Sequence, residues 1–297
     1  MKNFIPYSRQ NIDEDDIQAV GEALRDDWIT QGPRVDEFEA RVAEYCGARY
    51  AVAFNSGTSA LHASMYAAGV EPGNEVISSP ITFVASTNSA LYLGARPVFA
   101  DMSRESYCID IERIEKAVTS RTKVIIPVDY AGYPVDMSSI RKIAESHNLV
   151  VIEDAAHALG ARRHGKPVGQ EADMTMFSFH PVKHITTGEG GMIVCNKESF
   201  YRRLKLFRSH GIVKDNTLWE GNDGPWYYEM QELGYNYRIT DIQCALGSSQ
   251  LHKLPDFLEE RTRIAGIYDQ AFKDLEWIST PPHPEGDSRH AFHLYPV

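Results

Sequence analysis

Cysteine is scarce in this sequence and shows no pairing. Cys46, Cys108, Cys195 and Cys244 stand far apart, so neither a disulfide framework nor a clustered zinc site is expected. Basic charge is also short, with 30 Lys and Arg against 41 Asp and Glu and a formal net charge of -11. That balance argues against nonspecific nucleic-acid binding, which needs basic surface to displace counterions. Long hydrophobic runs are missing too. No stretch reaches the apolar length of a membrane span, and the start, Met1-Lys2-Asn3-Phe4-Ile5-Pro6, has no signal-peptide core. A reducing cytoplasm is the expected setting, and any anionic substrate must be met by local donors.

What the chain does have is 297 residues, 43% of them hydrophobic, enough for one large core and part of another domain. Helical and strand periods alternate, the pattern of an α/β protein with a mostly parallel sheet and helices on both faces. Ile17, Val20 and Leu24 are expected to line the buried face of a first helix capped near Asn11 or Asp13. Val35, Phe38, Val42 and Tyr45 line a second, stopped by Gly47. Strands are expected at 50–54, 75–78, 97–101, 123–128 and 149–154, with helices at 57–68, 84–93 and 136–147. Further helices are expected at 198–209, 240–251 and 257–272, a long loop at 215–228, and a strand at 289–297. The cluster Pro281, Pro282 and Pro284 marks a joint. A large domain over 1–254 and the start of an incomplete small α/β domain over 255–297 follow from this reading.

The chain is organised around Lys183. An apolar run over 174–179 ends at Ser178, Pro181 and Lys183, and a Gly/Thr turn leads to a second run at 192–194. An amine at the lip of a sheet can be partly desolvated, which lowers its pKa and suits it to Schiff-base chemistry. A surface lysine in a turn is the plainer alternative. Three other strand ends converge on the same crevice in an open parallel sheet. Asn55-Ser56-Gly57-Thr58-Ser59 opens a helix whose orphan N–H groups favour a phosphate, or is an ordinary cap. Asp154 arrives on an apolar strand, which is costly unless its carboxylate meets a cation such as a protonated pyridine nitrogen. His157 either bonds the cofactor or Asp154, or is a satisfied core histidine. Phe83 can stack on a flat ring, though an aromatic there is also ordinary core. Amine, acid, helix N-terminus and ring together specify pyridoxal 5′-phosphate.

His180 and His184 have the spacing of helical zinc ligands, but Pro181 opposes a helix there, so no metal is expected. Gly188-Glu189-Gly190-Gly191 reads as a tight turn. Arg238 is a candidate for a donor carboxylate, with a helix-face pairing to Asp241 equally open. Arg208 and His210 are weaker candidates, for which a buried polar network is the alternative.

The motifs Asn55-Ser56-Gly57-Thr58-Ser59-Ala60-Leu61, Glu153-Asp154-Ala155-Ala156-His157, Ser178-Phe179-His180-Pro181-Val182-Lys183 and Gly234-Tyr235-Asn236-Tyr237-Arg238 resemble those of the DegT/DnrJ/EryC1/StrS nucleotide-sugar aminotransferases of fold type I. The resemblance spans essentially the whole chain. It implies Lys183 as the cofactor-bearing lysine and catalytic base, Asp154 as the acid at the pyridine nitrogen, and Ser178 with Gly57 and Thr58 as the phosphate cradle. It also places Phe83 on the ring face and His157 beside the cofactor. Asn236 matches a residue reaching the neighbouring subunit's phosphate, which implies a homodimer with shared sites. Wording such as Trp28-Ile29-Thr30-Gln31-Gly32 and Asp129-Tyr130-Ala131-Gly132 is closest to the pseudaminic-acid branch. That branch aminates C4 of a UDP-linked 4-keto-6-deoxy-N-acetylhexosamine, with glutamate as donor. By the same similarity Tyr7, Asp27, Trp28, Ile29 and Thr30 touch the sugar nucleotide. The rival readings are amination of a dTDP- or GDP-linked ketosugar and a cofactor-binding regulatory protein without turnover.

Overall fold

The computed structural model describes residues 6, 8–213, 219–221 and 224–297. Tyr7 and part of the 215–228 loop lie outside the described residues. The chain opens with helices α1, Glu14–Ala23, and α2, Pro33–Cys46, and then strand β1, Tyr50–Phe54. There follow α3, Gly57–Ala67; β2, Glu75–Ser78; α4, Ala85–Leu91; β3, Arg96–Phe99; α5, Ile111–Ala117; and β4, Thr122–Ile126. After a short 3-10 turn at Tyr130–Gly132 come α6, Met137–His147, and β5, Val150–Asp154. The small strands β6, Arg162–Arg163, and β7, Lys166–Pro167, precede β8, Met174–Ser178, β9, Gly191–Cys195, and α7, Glu198–Arg208. The last elements are β10, Ile212–Val213; β11, Glu229–Met230; and α8, Asp241–Phe272.

Seven strands form one sheet in the order β1-β9-β8-β5-β4-β2-β3. Only β9 runs against the rest, antiparallel to both β8 and β1. Successive side chains on the central strands enter opposite cores, as the two-residue period requires. Val124, Ile126 and Ile152 pack with Phe54, Leu61 and Met65, while Ile125 and Val151 pack with Ile114 and Ile140. Near-continuous apolar strands are therefore the mark of a sheet covered on both faces. No helix among the described residues is long and apolar enough to cross a membrane.

Three expectations need correction. In α1, Ile17 and Leu24 are 56% and 58% exposed, and the buried residues are Asp16 and Ala23. Asp16 turns inward because α8 supplies its partners: the Ser249 hydroxyl at 2.7 Å, the Gln250 amide at 2.7 Å and the Lys253 ammonium at 2.7 Å. Asp16→Ala is expected to lower unfolding stability by about 1.5 to 3 kcal/mol, the range for hydrogen bonds to a charged group. An unchanged urea midpoint for this variant would mean that α1 docks without its acid.

The helices expected at 240–251 and 257–272 are one helix of 32 residues with Pro255 inside it. A proline removes one donor from the ladder, but buried Leu251, Leu254 and Leu258 hold the two halves to the same core. The strand expected at 289–297 is not formed beyond a bridge from Arg289 to Arg162. Ala291 and Leu294 instead donate their N–H groups to the carbonyls of Gly132 and Ala131, closing this segment over the 3-10 turn. Helix α5 was not expected. Its seven residues are too few for an apolar period to show, and its signal is the Asp110 cap, which accepts from Glu112 N–H at 2.8 Å.

Candidate active site

Parallel strands end on one side of the sheet, so β5 delivers Asp154 and β8 delivers Ser178 to the same crevice. The turn after β1 brings Asn55 to Gly57 beside them. A cavity of about 420 Å³ opens there. Its wall includes Gly57, Thr58, Phe83, Asp154, His157, Ser178 and Lys183, residues spread over more than a hundred positions of sequence. A larger cavity of about 530 Å³ lies elsewhere, around Arg163 and His283, away from these groups.

The floor is a helix N-terminus. Ser56 caps α3 by accepting from Ser59 N–H at 3.1 Å, and the Ser59 hydroxyl in turn donates to Asn55 at 2.7 Å. The first turn of α3 carries no acidic side chain, so the positive end of the helix and the N–H groups of Gly57 and Thr58 stay open to an anion. A Cβ at Gly57 would lie 3.3 Å from the Ser178 side chain and 3.4 Å from the Met176 sulfur. Glycine thus keeps backbone and hydroxyl together. Behind it, a Cβ at Gly191 would stand 2.5 Å from the Ser56 carbonyl, which fixes how closely β9 approaches this loop.

Burial sets the electrostatics of the walls. It pushes the Lys183 amine below the usual lysine range, with the Asp154 carboxylate opposing the shift. No side chain among the described residues bonds to that amine. Burial also raises the Asp154 carboxyl, while the Ser86 hydroxyl at 2.5 Å, the Ala156 N–H at 3.2 Å and Lys183 pull it back. Burial, helped by Lys183, lowers His157 to about 3, so its ring is neutral near pH 7. The His157 ring lies 4.3 Å from that of His293, and its Nδ1 has no hydrogen-bond partner among the described residues. Phe83 is 71% exposed at the cavity mouth.

These features fit a phosphate-bearing pyridine cofactor on physical grounds. A buried carboxylate lacks a bonded cation, an imidazole nitrogen lacks a partner, a desolvated amine is unengaged, and an anion cradle lies within the same cavity.

Of the other candidates, His180 lines the cavity and the rest do not. Asn236 is exposed, its backbone held by a bridge to Ser209 and by the Asn55 amide. Asp27, Trp28, Ile29 and Thr30 sit between α1 and α2, with Trp28 60% exposed. Thr30 bridges to Thr240, and the Ile29 carbonyl accepts from Asp241 N–H. The Asp241 side chain accepts from Gly32 N–H at 2.8 Å and Arg34 N–H at 3.0 Å. Its oxygens are thus engaged at the start of α2, and the pairing with Arg238 is not made among the described residues. Arg208 is buried against Glu39, the polar network held open for it. His180 is exposed, whereas His184 is buried with Nε2 3.0 Å from the Ala291 carbonyl.

Sequence reasoning missed Ser86 and Thr82. Their four-residue spacing gives no sign that Ser86 meets Asp154, 68 positions away; only the order β5-β4-β2, with α4 following β2, brings them together.

Comparison with known proteins agrees with the geometry. The chain is 43% identical over 297 residues to the UDP-4-amino-4,6-dideoxy-N-acetyl-beta-L-altrosamine transaminase of Campylobacter jejuni, covering 99% of this chain and 76% of that one. It is 39% identical to the GDP-perosamine synthase of Caulobacter vibrioides, covering 99% and 76%. Among solved structures, Helicobacter pylori PseC, an aminotransferase involved in the biosynthesis of pseudoaminic acid, superposes with a TM-score of 0.89 at 39% identity, covering 98% and 76%. The PMP form of the sugar aminotransferase Spr1654 from Streptococcus pneumoniae gives 0.91 at 34% identity, covering 98% and 78%. A sequence profile matches residues 10–297, and by it the chain belongs to the DegT/DnrJ/EryC1/StrS aminotransferase family, with the type I fold.

Proposed function

We propose that the chain transfers an amino group from glutamate to C4 of a UDP-linked 4-keto-6-deoxy-N-acetylhexosamine, a step of pseudaminic acid biosynthesis, using pyridoxal 5′-phosphate. The observation that carries the reading is Lys183 and Asp154 in the wall of one cavity whose floor is a helix N-terminus. The names of the Campylobacter and Helicobacter relatives support the choice of sugar.

Gly57 and Thr58 N–H groups with the Ser178 hydroxyl would hold the cofactor's phosphate. Phe83 would stack on the ring face. Asp154 would keep a proton on the pyridine nitrogen, and His157, neutral, would offer a ring nitrogen to the cofactor. The bound cofactor supplies an electron sink for the carbanion left by deprotonation. Lys183, its amine already lowered by desolvation, would take the proton from the donor's α-carbon as general base and return it as general acid to the cofactor's C4′, and the reverse transfer would serve the sugar's C4 in the second half-reaction. Two half-reactions give ping-pong kinetics. The protein acts as a homodimer in which exposed Asn236 reaches the neighbouring subunit's site, and residues 255–297 begin a second domain. Tyr7, Asp27, Trp28, Ile29, Thr30 and Arg238 stand as the contacts to the sugar nucleotide and the donor.

A GDP-linked ketosugar is the second reading, favoured by the identity to GDP-perosamine synthase. Mass spectrometry of products formed from glutamate and a panel of UDP-, dTDP- and GDP-linked 4-ketosugars separates the two. Amination confined to the UDP sugar is expected. Exclusive use of a GDP sugar moves the assignment to the second reading, and a cofactor that stays in its aldehyde form with glutamate leaves a binding protein without turnover.

A further inference from the structure

Asp154 carries its charge in surroundings that oppose it. The carboxylate is buried, and two further acids flank it. Glu153 precedes it on β5, and Asp129 donates its N–H to the Asp154 carbonyl at 3.1 Å. Both are buried, and neither has a cation bonded to it. The Glu153 carboxylate accepts from the Thr175 hydroxyl at 2.8 Å. Asp129 accepts from Val135 N–H at 2.9 Å through Oδ1, and its Oδ2 has no partner among the described residues. Burial raises both, Glu153 to about 7 with Glu171 and Asp154 adding repulsion, and Asp129 well above the usual carboxylate range with Glu153 and Asp154 adding repulsion and Arg163 opposing it. On the cavity side, Lys183 is the one ammonium among the described lining groups, His157 is neutral, and His180 and Glu189 complete the titratable lining.

A pair of hydroxyls meets the acid from α4 and the turn before it. Ser86, fully buried, places Oγ 2.5 Å from Asp154 Oδ2. The Phe83 carbonyl, at 3.1 Å, is the competing acceptor for that hydrogen. The shorter contact has the length of a charge-assisted bond, so the carboxylate takes the hydrogen. Thr82 Oγ1 lies 2.7 Å from Ser86 Oγ. With the Ser86 hydrogen committed, Thr82 must be the donor to Ser86, and the two hydroxyls form a directed chain from the cavity wall to the acid. Building on the cofactor reading above, we propose that Ser86, oriented by Thr82, is a positioning residue that holds Asp154 anionic and fixed in the cavity wall against the cost of its burial.

The chain of hydroxyls leaves one lone pair on each Asp154 oxygen for a cationic ring nitrogen, since Oδ2 accepts from Ser86 and Oδ1 from Ala156. Removing the serine donor makes Asp154 protonate at higher pH, and a neutral acid no longer selects the protonated ring. The test is a titration of the full chain with pyridoxal 5′-phosphate, followed by visible absorbance across pH, for wild type, Ser86→Ala, Ser86→Thr and Thr82→Val. Thermal unfolding establishes that each variant is folded. Ser86→Ala is expected to weaken cofactor affinity about tenfold at pH 7 and to move the acid limb of binding up by about one pH unit. Thr82→Val moves it less in the same direction, and Ser86→Thr, which keeps the hydroxyl, restores it. Acid limbs of Ser86→Ala and Thr82→Val that coincide with wild type, in a chain that binds the cofactor, overturn this assignment alone. A wild-type chain that binds none overturns the cofactor reading together with it.

Discussion

Lys183→Ala is expected to abolish the visible absorbance that a lysine-bound pyridoxal gives near neutral pH and to lower amino transfer on the order of 10³-fold or more. Two functions are lost at once: the amine that tethers the cofactor and the base that moves the α-proton. No second amine lines the cavity among the described residues, and the imidazole of His180 and the carboxylate of Glu189 that also line it cannot form the tether. His157 and His184 are buried and held neutral, but their desolvation also makes them weak bases, and Lys183 is the one amine in the cavity wall among the described residues. The sign of the pH effect follows from the same desolvation. A lysine lowered by burial presents its free amine at lower pH than a solvated one, so the alkaline requirement of the wild type is relaxed. Lys183→Arg keeps the charge without a nucleophilic amine and is expected to be as inactive as the alanine variant. Persistence of both the absorbance and turnover in Lys183→Ala would remove this residue from the chemistry.

Glu39→Ala is expected to destabilise the fold by about 3 to 5 kcal/mol, the range for removing one member of a buried ion pair. Glu39 and Arg208 are 6% and 7% exposed. Glu39 Oε1 accepts from Arg208 Nη1 at 2.5 Å and from Ala53 N–H at 2.8 Å, and Arg208 Nη1 also donates to the Ala53 carbonyl at 2.7 Å. Without the acid, a guanidinium is left uncompensated in the core and a backbone N–H of β1 loses its acceptor. Lys205, 3.4 Å from Glu39 Oε2, is 32% exposed in its side chain and can turn to water. Urea unfolding at constant slope reads the loss. Replacing both Glu39 and Arg208 with leucine and methionine is expected to recover most of it, because no charge then stays buried. A Glu39→Ala midpoint within about 1 kcal/mol of wild type would show the pair to be already solvated.

Where the sequence was legible, local rules and tertiary packing agreed. Gly47 and Asn148 take left-handed conformations that end α2 and α6, and apolar β4, β5 and β8 announce a sheet buried on both faces. The cavity residues on this framework were legible for the same reason: strand ends in a parallel sheet meet. It failed where a partner distant in sequence reversed a local preference. The apolar stripe of α1 was misread because Asp16 has three partners on α8, and hydropathy cannot register a buried acid that is fully satisfied. Pro255 lies inside α8 because the flanking leucines share one core. Ser86 escaped because a hydroxyl on a helix carries no pattern until its acceptor is placed next to it.

The Asp241 carboxylate joins two segments that the chain keeps more than two hundred residues apart. Because it accepts from the amides of Gly32 and Arg34 while its own N–H reaches the Ile29 carbonyl, the entry to α2 and the entry to α8 form one clasp. Fraying at either end frees both, so the Gly32 and Arg34 amides exchange with deuterated solvent only as fast as the first turn of α8 opens. Ile29, Thr30 and the first residues of α8 therefore stiffen or loosen as one body.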